Sequence, residues 1–271
     1  MLLQAGQMGL YRNDSILTDE LPPDMVSGAT MWLDFTDVGT LFSGTDLDGG
    51  TPSDGQSILS IADKVGVVAG AKRSAGNALT ASIPGSGVVS AHATGSLQME
   101  AMIAFPTTGA SSASIVSSTT KLIFAGVRVR AANTYTSNPW TANAILFDAG
   151  GYFGLHVMQS SAGDGSLIAT AYNYSFPNTE RADQPIGTNQ WLVITMSQQS
   201  GTLRCRVNGG AWASVSSGAT STLANNVRLP DGAALDADIA HIAVFNTPQT
   251  DAVISAVEHW IANDVGITPW W

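Results

Sequence analysis

The sequence predicts an all-β sandwich that is closed by one C-terminal helix. Short segments of alternating apolar and polar residues recur along the chain, and turn-forming residues separate nearly every pair. A helical spacing of apolar residues appears in the final segment. Successive strands with turns between them are typical of a sandwich or barrel and not of βαβ units. The length of 271 residues is sufficient for one such domain.

The first predicted strand covers 29–35, where Met31, Leu33 and Phe35 share one side and Trp32 and Asp34 the other. Further strands are predicted at 97–105, 122–129, 145–147, 154–159, 167–176, 191–197, 203–207 and 237–245. Asn208-Gly209 follows one of them and predicts a tight turn with positive φ.

The helix is predicted over 248–263. Thr247 is expected to cap it, and Pro248 suits its first position, where an amide hydrogen is not needed. Five apolar residues fall at helical spacing: Val253, Ile254, Val257, Trp260 and Ile261. Gly266 lies just past the end. We expect this stripe to pack on the sandwich, and docking on a partner is the alternative.

The chain divides into an N-terminal arm, 1–24, and a sandwich with its helix, 25–271. Pro22-Pro23 stiffens the junction into an extended form. The arm is expected either to lie along the surface or to anchor the domain to a neighbouring subunit. The first residues do not have the pattern of a signal peptide. We therefore expect the chain to be made in the cytoplasm and not exported by the ordinary route.

Composition excludes several classes of partner. The net charge is −10, and lysine occurs only at positions 64, 72 and 121, so nucleic acid and anionic membrane surfaces are not expected partners. The charged fraction is 12%, below the usual quarter or so, and polar uncharged residues replace it. Cys205 is the one cysteine and sits in an alternating strand, which favours a buried structural thiol.

The order of these segments resembles the laminin G-like family of concanavalin A-type jelly rolls. The stretch MWLDFTD at 31–37 with TLF at 40–42 resembles the opening of bacterial and bacteriophage members. DKVG at 63–66, the hairpin 191–209, the strand 238–246 and the helical tail 257–267 are similar to later motifs of the family. The resemblance implies an antiparallel β-sandwich, and it implies that calcium can bind at the rim.

Catalytic patterns are sparse. Glycoside hydrolases of this fold place acids at alternate positions of one strand, and the resemblance directs attention to Glu100 and to the pair Asp236 and Asp238. Glu100 has no acid two residues away. Asp236 and Asp238 share a face but open a strand that is structural in the family. No nucleophile elbow, zinc motif or phosphate loop occurs, so the chain is predicted not to be an enzyme.

Calcium is the one cofactor for which the sequence offers candidate ligands. Asp46, Asp48 and Asp164 are candidate ligands because they lie in oxygen-rich loops next to glycine. Turn-forming Asp-Gly chemistry explains the same loops without an ion, and both alternatives stay open.

Two groups of residues are candidates for glycan contact. Tyr135, Asn138 and Trp140 occupy a polar loop, where exposed aromatic rings beside an amide suit a sugar. Tyr172 and Tyr174 alternate along a predicted strand and share one face, which is either a binding face or part of the inter-sheet core.

These features favour a non-catalytic structural or adhesion protein of a bacteriophage virion, a capsid decoration or tail protein that could bind host-surface glycans. Its expected partners are other virion proteins, through the arm, and cell-surface glycans, and it is expected to be oligomeric on the particle. The alternatives are a polysaccharide-cleaving enzyme of the same fold and a stand-alone carbohydrate-binding module.

Overall fold

The computed structural model describes residues 20–66, 68–73, 79–93, 102–106, 120–132, 145–149, 153–175, 178–217, 227–229 and 235–268. Nine strands precede residue 132: β1 Ala29–Asp34, β2 Leu41–Phe42, β3 Ser57–Ile58, β4 Ser60–Ala62, β5 Val68–Arg73, β6 Leu79–Ser82, β7 Ser90–Ala93, β8 Met102–Pro106 and β9 Lys121–Ala131. Nine follow: β10 Ile145–Ala149, β11 Phe153–Gln159, β12 Leu167–Ser175, β13 Asn178–Ile186, β14 Trp191–Gln199, β15 Thr202–Val207, β16 Ala213–Ser216, β17 Val227–Leu229 and β18 Asp236–Phe245. The α-helix α1 covers Asp251–Asp264, and short 3-10 helices cover Pro23–Met25 and Val38–Thr40.

The strands form two antiparallel sheets of nine strands each. Sheet A has the order β16-β15-β14-β9-β18-β7-β6-β3, and β1 also pairs with β18. Sheet B has the order β13-β12-β11-β10-β17-β8-β5-β4-β2. Strand β18 is long enough to pair with β7 along its first half and with β1 along its second half. The predicted all-β sandwich with a C-terminal helix is confirmed.

Strict alternation places the core between the two sheets. In β9, Ile123, Ala125, Val127 and Val129 are buried on the inner face of sheet A. Sheet B supplies facing apolar residues from β11 and β12, which include Phe153, Leu155, Val157, Ala169 and Ala171. The even-numbered residues of β9 therefore point to the outer face of sheet A, where the helix and the candidate site lie.

Helix α1 packs on the outer face of sheet A. Ile254, Val257 and Ile261 form a second apolar cluster with Phe124 and Phe245. Gly126 permits the close approach, because a Cβ at this position would lie 2.9 Å from Ile261 Cγ2. The expectation that the apolar stripe covers the chain's own sandwich is confirmed.

The predicted helix start was wrong by three residues. The N-cap is Thr250, whose Oγ1 accepts a hydrogen bond from Val253 N at 3.3 Å, and the helix begins at Asp251. The Thr247 hydroxyl instead donates to Ser27 O at 3.4 Å, so it joins this end of the chain to the residues before β1. Gly266 follows the helix with a φ of 72°, as expected for a glycine at that position.

Most of the predicted arm, 1–19, lies outside the described residues. The described end of the arm lies against the helix, where Leu21 N donates to Ala256 O at 3.0 Å. Within the described ranges, no helix is long and apolar enough to cross a membrane.

Candidate functional site

The outer face of sheet A has two halves of opposite character. Beside the first half of β1 and the second half of β18, helix α1 covers apolar residues. Beside the first half of β18, the same face carries charged and polar side chains: Arg128, Arg130, His92, Asp236 and Asp238. Charged groups on the part of the sheet face that helix α1 does not cover are a candidate binding surface.

Six outer-face residues, which include Arg128, Asp238 and His92, are direct neighbours across six strands. Their register partners run Trp191–Arg128, Arg128–Asp238, Asp238–His92, His92–Thr80 and Thr80–Ser57. The strands concerned are β14, β9, β18, β7, β6 and β3, in that order across the sheet. We call this line of side chains the polar row.

Asp238 is the centre of the polar row. Its side chain is 2% exposed. Arg128 Nε and Arg130 Nη2 donate to its Oδ2 at 2.7 and 2.6 Å. Burial alone would raise the pKa of this carboxyl, but the two guanidinium groups outweigh that effect and hold the pKa below its usual value. Asp238 is therefore an ionised, positioning group that fixes both arginines.

His92 has two charged neighbours at one ring nitrogen. Nδ1 lies 2.9 Å from Asp238 Oδ1, which can only accept a hydrogen, and 3.2 Å from Arg130 Nη1, which can only donate one. These two neighbours favour opposite tautomers of the neutral ring. Nε2 lies 4.0 Å from Asp236 Oδ1, on the side of the more exposed carboxylate.

A shallow pocket of about 380 Å³ lies beside His92 and Thr80, on the β7 and β6 side of the polar row. Its walls combine acids, hydroxyls, a guanidinium and an imidazole: Asp54, Gly55, Thr80, Ala81, Ser82, His92, Arg130, Asp236 and Asp238. Asp236 is 43% exposed, and Arg130 Nη1 donates to its Oδ1 at 3.0 Å. Donors and acceptors that are already fixed by one another suit a ligand with many hydroxyl groups.

The two acids share one guanidinium partner. Glycoside hydrolysis needs one carboxyl that carries a proton to the leaving oxygen. The pKa of Asp238 is lowered, and Arg130 bridges Asp238 to Asp236. These ion pairs favour binding over acid catalysis at this pair.

The structure confirms that Asp236 and Asp238 share a face, since both contact Arg130 from the outer side of sheet A. The predicted loop residues Tyr135, Asn138 and Trp140 lie outside the described residues. Tyr174 lies in β12, with Thr179 as its register partner.

Tyr172 is fully buried, with its ring edge-on to His156 at 4.6 Å between centroids. It is not in the inter-sheet core either. Ala169 and Ala171 of the same strand face that core, so the alternation puts Tyr172 on the outer face of sheet B. In this position its ring does not offer a surface to a ligand, which corrects the expectation for this residue.

The acidic loops are explained by turn geometry. Asp164 Oδ1 accepts from Ser166 N at 2.9 Å, and Asp48 Oδ1 accepts from Asp46 N at 3.4 Å. Within the ranges that the structure describes, His, Cys, Asp and Glu side chains do not gather in groups of three that could hold a metal.

Cys205 is fully buried, as predicted. Burial raises the pKa of its thiol to about 12, so a thiolate nucleophile is not available at neutral pH.

Sequence reasoning missed most members of the site, among them His92, Arg128, Arg130, Trp191 and Asp54. One signal was present, because Arg128 and Arg130 alternate with Val127 and Val129 at the end of a predicted strand and so share its polar face. His92 and Asp238 are 146 residues apart, and their contact depends on the pairing of β7 with β18.

Neither a family model nor a curated protein matches this chain. Solved structures do match. Domain 4 of AbnA, a GH43 extracellular arabinanase from Geobacillus stearothermophilus, in complex with arabinotriose, has a TM-score of 0.52 at 14% identity, with 88% of this chain and 98% of that chain covered. An arabinofuranosidase complexed with arabinofuranosyl-alpha-1,2-xylobiose gives 0.57 at 10% identity, covering 90% and 65%.

The binding domain of botulinum neurotoxin DC, in complex with SialylT, gives a TM-score of 0.52 at 13% identity. The match covers 76% of this chain and about half, 51%, of that one. These identities are low, so the comparisons establish the fold. The chain has an antiparallel β-sandwich fold of the concanavalin A-like jelly-roll type, and its structural neighbours are carbohydrate-binding domains and glycosidases.

Proposed function

We propose that this chain is a non-catalytic glycan-binding module of a bacteriophage virion, and that it binds sugars in the pocket beside His92. The observation that carries the glycan-binding proposal is the pocket itself. Asp54, His92, Arg130 and Asp236 present fixed donors and acceptors on a sheet face that helix α1 leaves uncovered.

The charges in the pocket support binding without cleavage. A sugar hydroxyl can donate to Asp236, accept from Arg130 and form a hydrogen bond with His92 Nε2 in either tautomer of the ring. The carboxylates keep their guanidinium partner throughout, and such a site holds a ligand without transferring a proton to it. Structural neighbours that were solved with arabinotriose and with SialylT make a sugar the natural class of ligand to test.

The virion part of the proposal rests on the sequence. The opening MWLDFTD resembles bacterial and bacteriophage members of the laminin G-like family, and the tail 257–267 is similar to a later motif of that family. A net charge of −10 also suits a protein that is displayed on a particle surface, since it favours solubility. The test is mass spectrometry of particles purified from a lysate of the producing host. The chain at a fixed ratio to a coat protein is expected, and its absence from intact particles would refute this part.

Binding is tested with immobilised glycans, followed by calorimetry on those that bind. His92→Ala and Asp54→Asn are expected to lower affinity about tenfold or more, because each removes a polar contact in the pocket. Asp164→Asn is the matched control. Both aspartates accept a backbone hydrogen bond, Asp54 from Ile83 N at 2.7 Å and Asp164 from Ser166 N at 2.9 Å, but Asp164 is not in the pocket.

Wild-type affinity in both pocket variants would refute the pocket as the site. Catalysis is tested separately, by incubating the protein with the bound polysaccharide and measuring new reducing ends. None are expected, and their release in an amount that Asp236→Asn abolishes would establish the hydrolase alternative instead.

A further inference from the structure

We infer that the ligand is an uncharged, extended oligosaccharide that crosses the strands of sheet A along the polar row and ends on Trp191. This inference rests on the glycan-binding function proposed above, and it adds the length, direction and charge class of the ligand.

The length follows from the sheet. The polar row joins six strands, from Trp191 in β14 to Ser57 in β3, so it spans five strand spacings. At about 4.8 Å per spacing, the row is roughly 24 Å long. One sugar unit of an extended chain is about as long as one spacing, so the row matches about four or five units.

The direction follows from what lies at each end. The pocket with His92 and Asp54 occupies the side of β7, β6 and β3. At the opposite end the row reaches Trp191, a half-buried indole. The Arg128 guanidinium lies over the indole ring, 5.2 Å from its centroid, and is held by Asp238. The ring face that the guanidinium does not cover is a platform on which the apolar face of a sugar can stack.

On one side, helix α1 limits the polar row. Beyond Arg128, the next outward residues of β9 are Gly126 and Phe124. A Cβ at Gly126 would meet Ile261 of the helix, and Phe124 is buried in the helix cluster. Helix α1 therefore forms a wall along one side of the row, and a long ligand is directed across the strands.

The inference that the ligand is uncharged follows from the ion pairs within the polar row and its pocket. Arg128 and Arg130 are both bound to Asp238, and Arg130 also binds Asp236. Asp54 adds a further carboxylate to the pocket. An anionic glycan would have to compete with these carboxylates for the guanidinium groups, in the field of a chain of net charge −10. A neutral glycan can use the same groups without displacing them.

The experiment measures affinity by calorimetry for arabino-, xylo- and cello-oligosaccharides of two to six units, with oligogalacturonides as the anionic comparison. For the neutral series that binds, affinity is expected to rise with each unit up to about five and then to level off. The galacturonides are expected to bind at least tenfold more weakly at equal length. Equal affinity for two and six units would refute the extended mode, and tighter binding of the galacturonides would refute the charge class.

Variants separate this inference from the proposed function. Trp191→Ala is expected to lower affinity for the six-unit ligand about tenfold and to leave the two-unit ligand unchanged, while Trp191→Phe keeps most of the affinity. His92→Ala is expected to weaken binding at every length. Equal loss at both lengths in Trp191→Ala overturns the extended mode alone, whereas wild-type binding by His92→Ala at every length overturns the proposed function. Thermal unfolding of each variant verifies that sheet A, including Arg128, remains folded after the substitution.

Discussion

His241 Nε2 lies 2.8 Å from Asp264 Oδ2, and this contact ties strand β18 to the last turn of helix α1. The imidazole is fully buried and packs against Trp32 and Trp260. Nε2 donates to the carboxylate, which leaves Nδ1 to accept from the Trp32 indole at 3.5 Å. The end of the helix is thus held by a specific polar contact as well as by apolar packing.

Asp264→Ala should lower the free energy of unfolding by about 1–2 kcal/mol, because a hydrogen bond to a partly exposed carboxylate is lost. The hydrogen bond from His241 is the main reason that the pKa of Asp264 is lowered. A carboxyl whose pKa is lower in the folded state stabilises above its unfolded pKa and loses this effect as pH falls.

The difference between wild type and Asp264→Ala in urea unfolding should therefore be constant from about pH 5 to 7 and shrink below about pH 4. Asp264→Asn is the size-matched control and should show the same pH trend. A difference that persists undiminished at pH 3 would contradict this role of the carboxylate.

Lys121→Met should stabilise the fold at neutral pH. The Lys121 side chain is fully buried, donates to Gln198 Oε1 at 2.9 Å and lies 4.5 Å from the Phe153 ring centroid. Burial lowers the pKa of its ammonium from 10.5 to about 8. At pH 7 this shift corresponds to a cost of about 3 kcal/mol for keeping the charge in the core.

The direction in which the free energy of unfolding changes with pH tests this prediction. Between about pH 8 and 10 the unfolded chain holds a proton at this lysine that the folded chain has released, so wild-type stability rises with pH. Lys121→Met should lack that rise. Equal slopes for the two proteins in urea unfolding at pH 7, 8, 9 and 10 would show that Lys121 titrates normally.

Glu258 and Arg206 should behave as a coupled pair beneath the helix. Arg206 Nε donates to Glu258 Oε1 at 2.8 Å, and the Thr195 hydroxyl donates to the same oxygen at 2.5 Å. Glu258→Leu alone should cost about 3–5 kcal/mol because it leaves a buried guanidinium without its carboxylate. The double variant with Arg206→Met should cost clearly less than the sum of the single changes. Additive losses in a double-mutant cycle would contradict the coupling.

Arg130→Met should lower glycan affinity about tenfold, since it removes a pocket donor and leaves Asp236 and Asp238 without the group that bridges them. Arg130→Lys should not restore binding, because one ammonium cannot donate along two parallel directions to separate carboxylates. Calorimetry on both variants is the measurement. Full affinity in Arg130→Lys would show that the site needs only a positive charge here.

The sequence predicted the central strands well and the edge of sheet B poorly. Strands β9 and β18 have long alternating patterns, and their predicted bounds differ from the structure by at most two residues. Strand β13 was missed, since Asn178–Ile186 is polar and contains Pro185. It is the last strand of sheet B, where proline is tolerated because no further strand needs its amide hydrogen.

The candidate site was also only partly predictable from the sequence. Alternation in β18 was enough to place Asp236 and Asp238 on one face. Their partners come from distant strands. His92 in β7 is 146 residues from Asp238 in sequence, and Arg128 in β9 is 110 residues from it. Periodicity gives the face of a strand but not its neighbours, so the ion pairs of the candidate site could not be foreseen.

The antiparallel pairing of β1 with β18 has a mechanical consequence. Ala29 at the start of β1 lies opposite Phe245 at the end of β18. A pull between the segments that leave these two residues would open the hydrogen bonds one after another, like a zipper. Tension between Asp238 and the segment before Ala29 would instead run along the strands and strain many hydrogen bonds together. This strand pair should therefore resist force best when the load acts between the candidate site and the segment before β1.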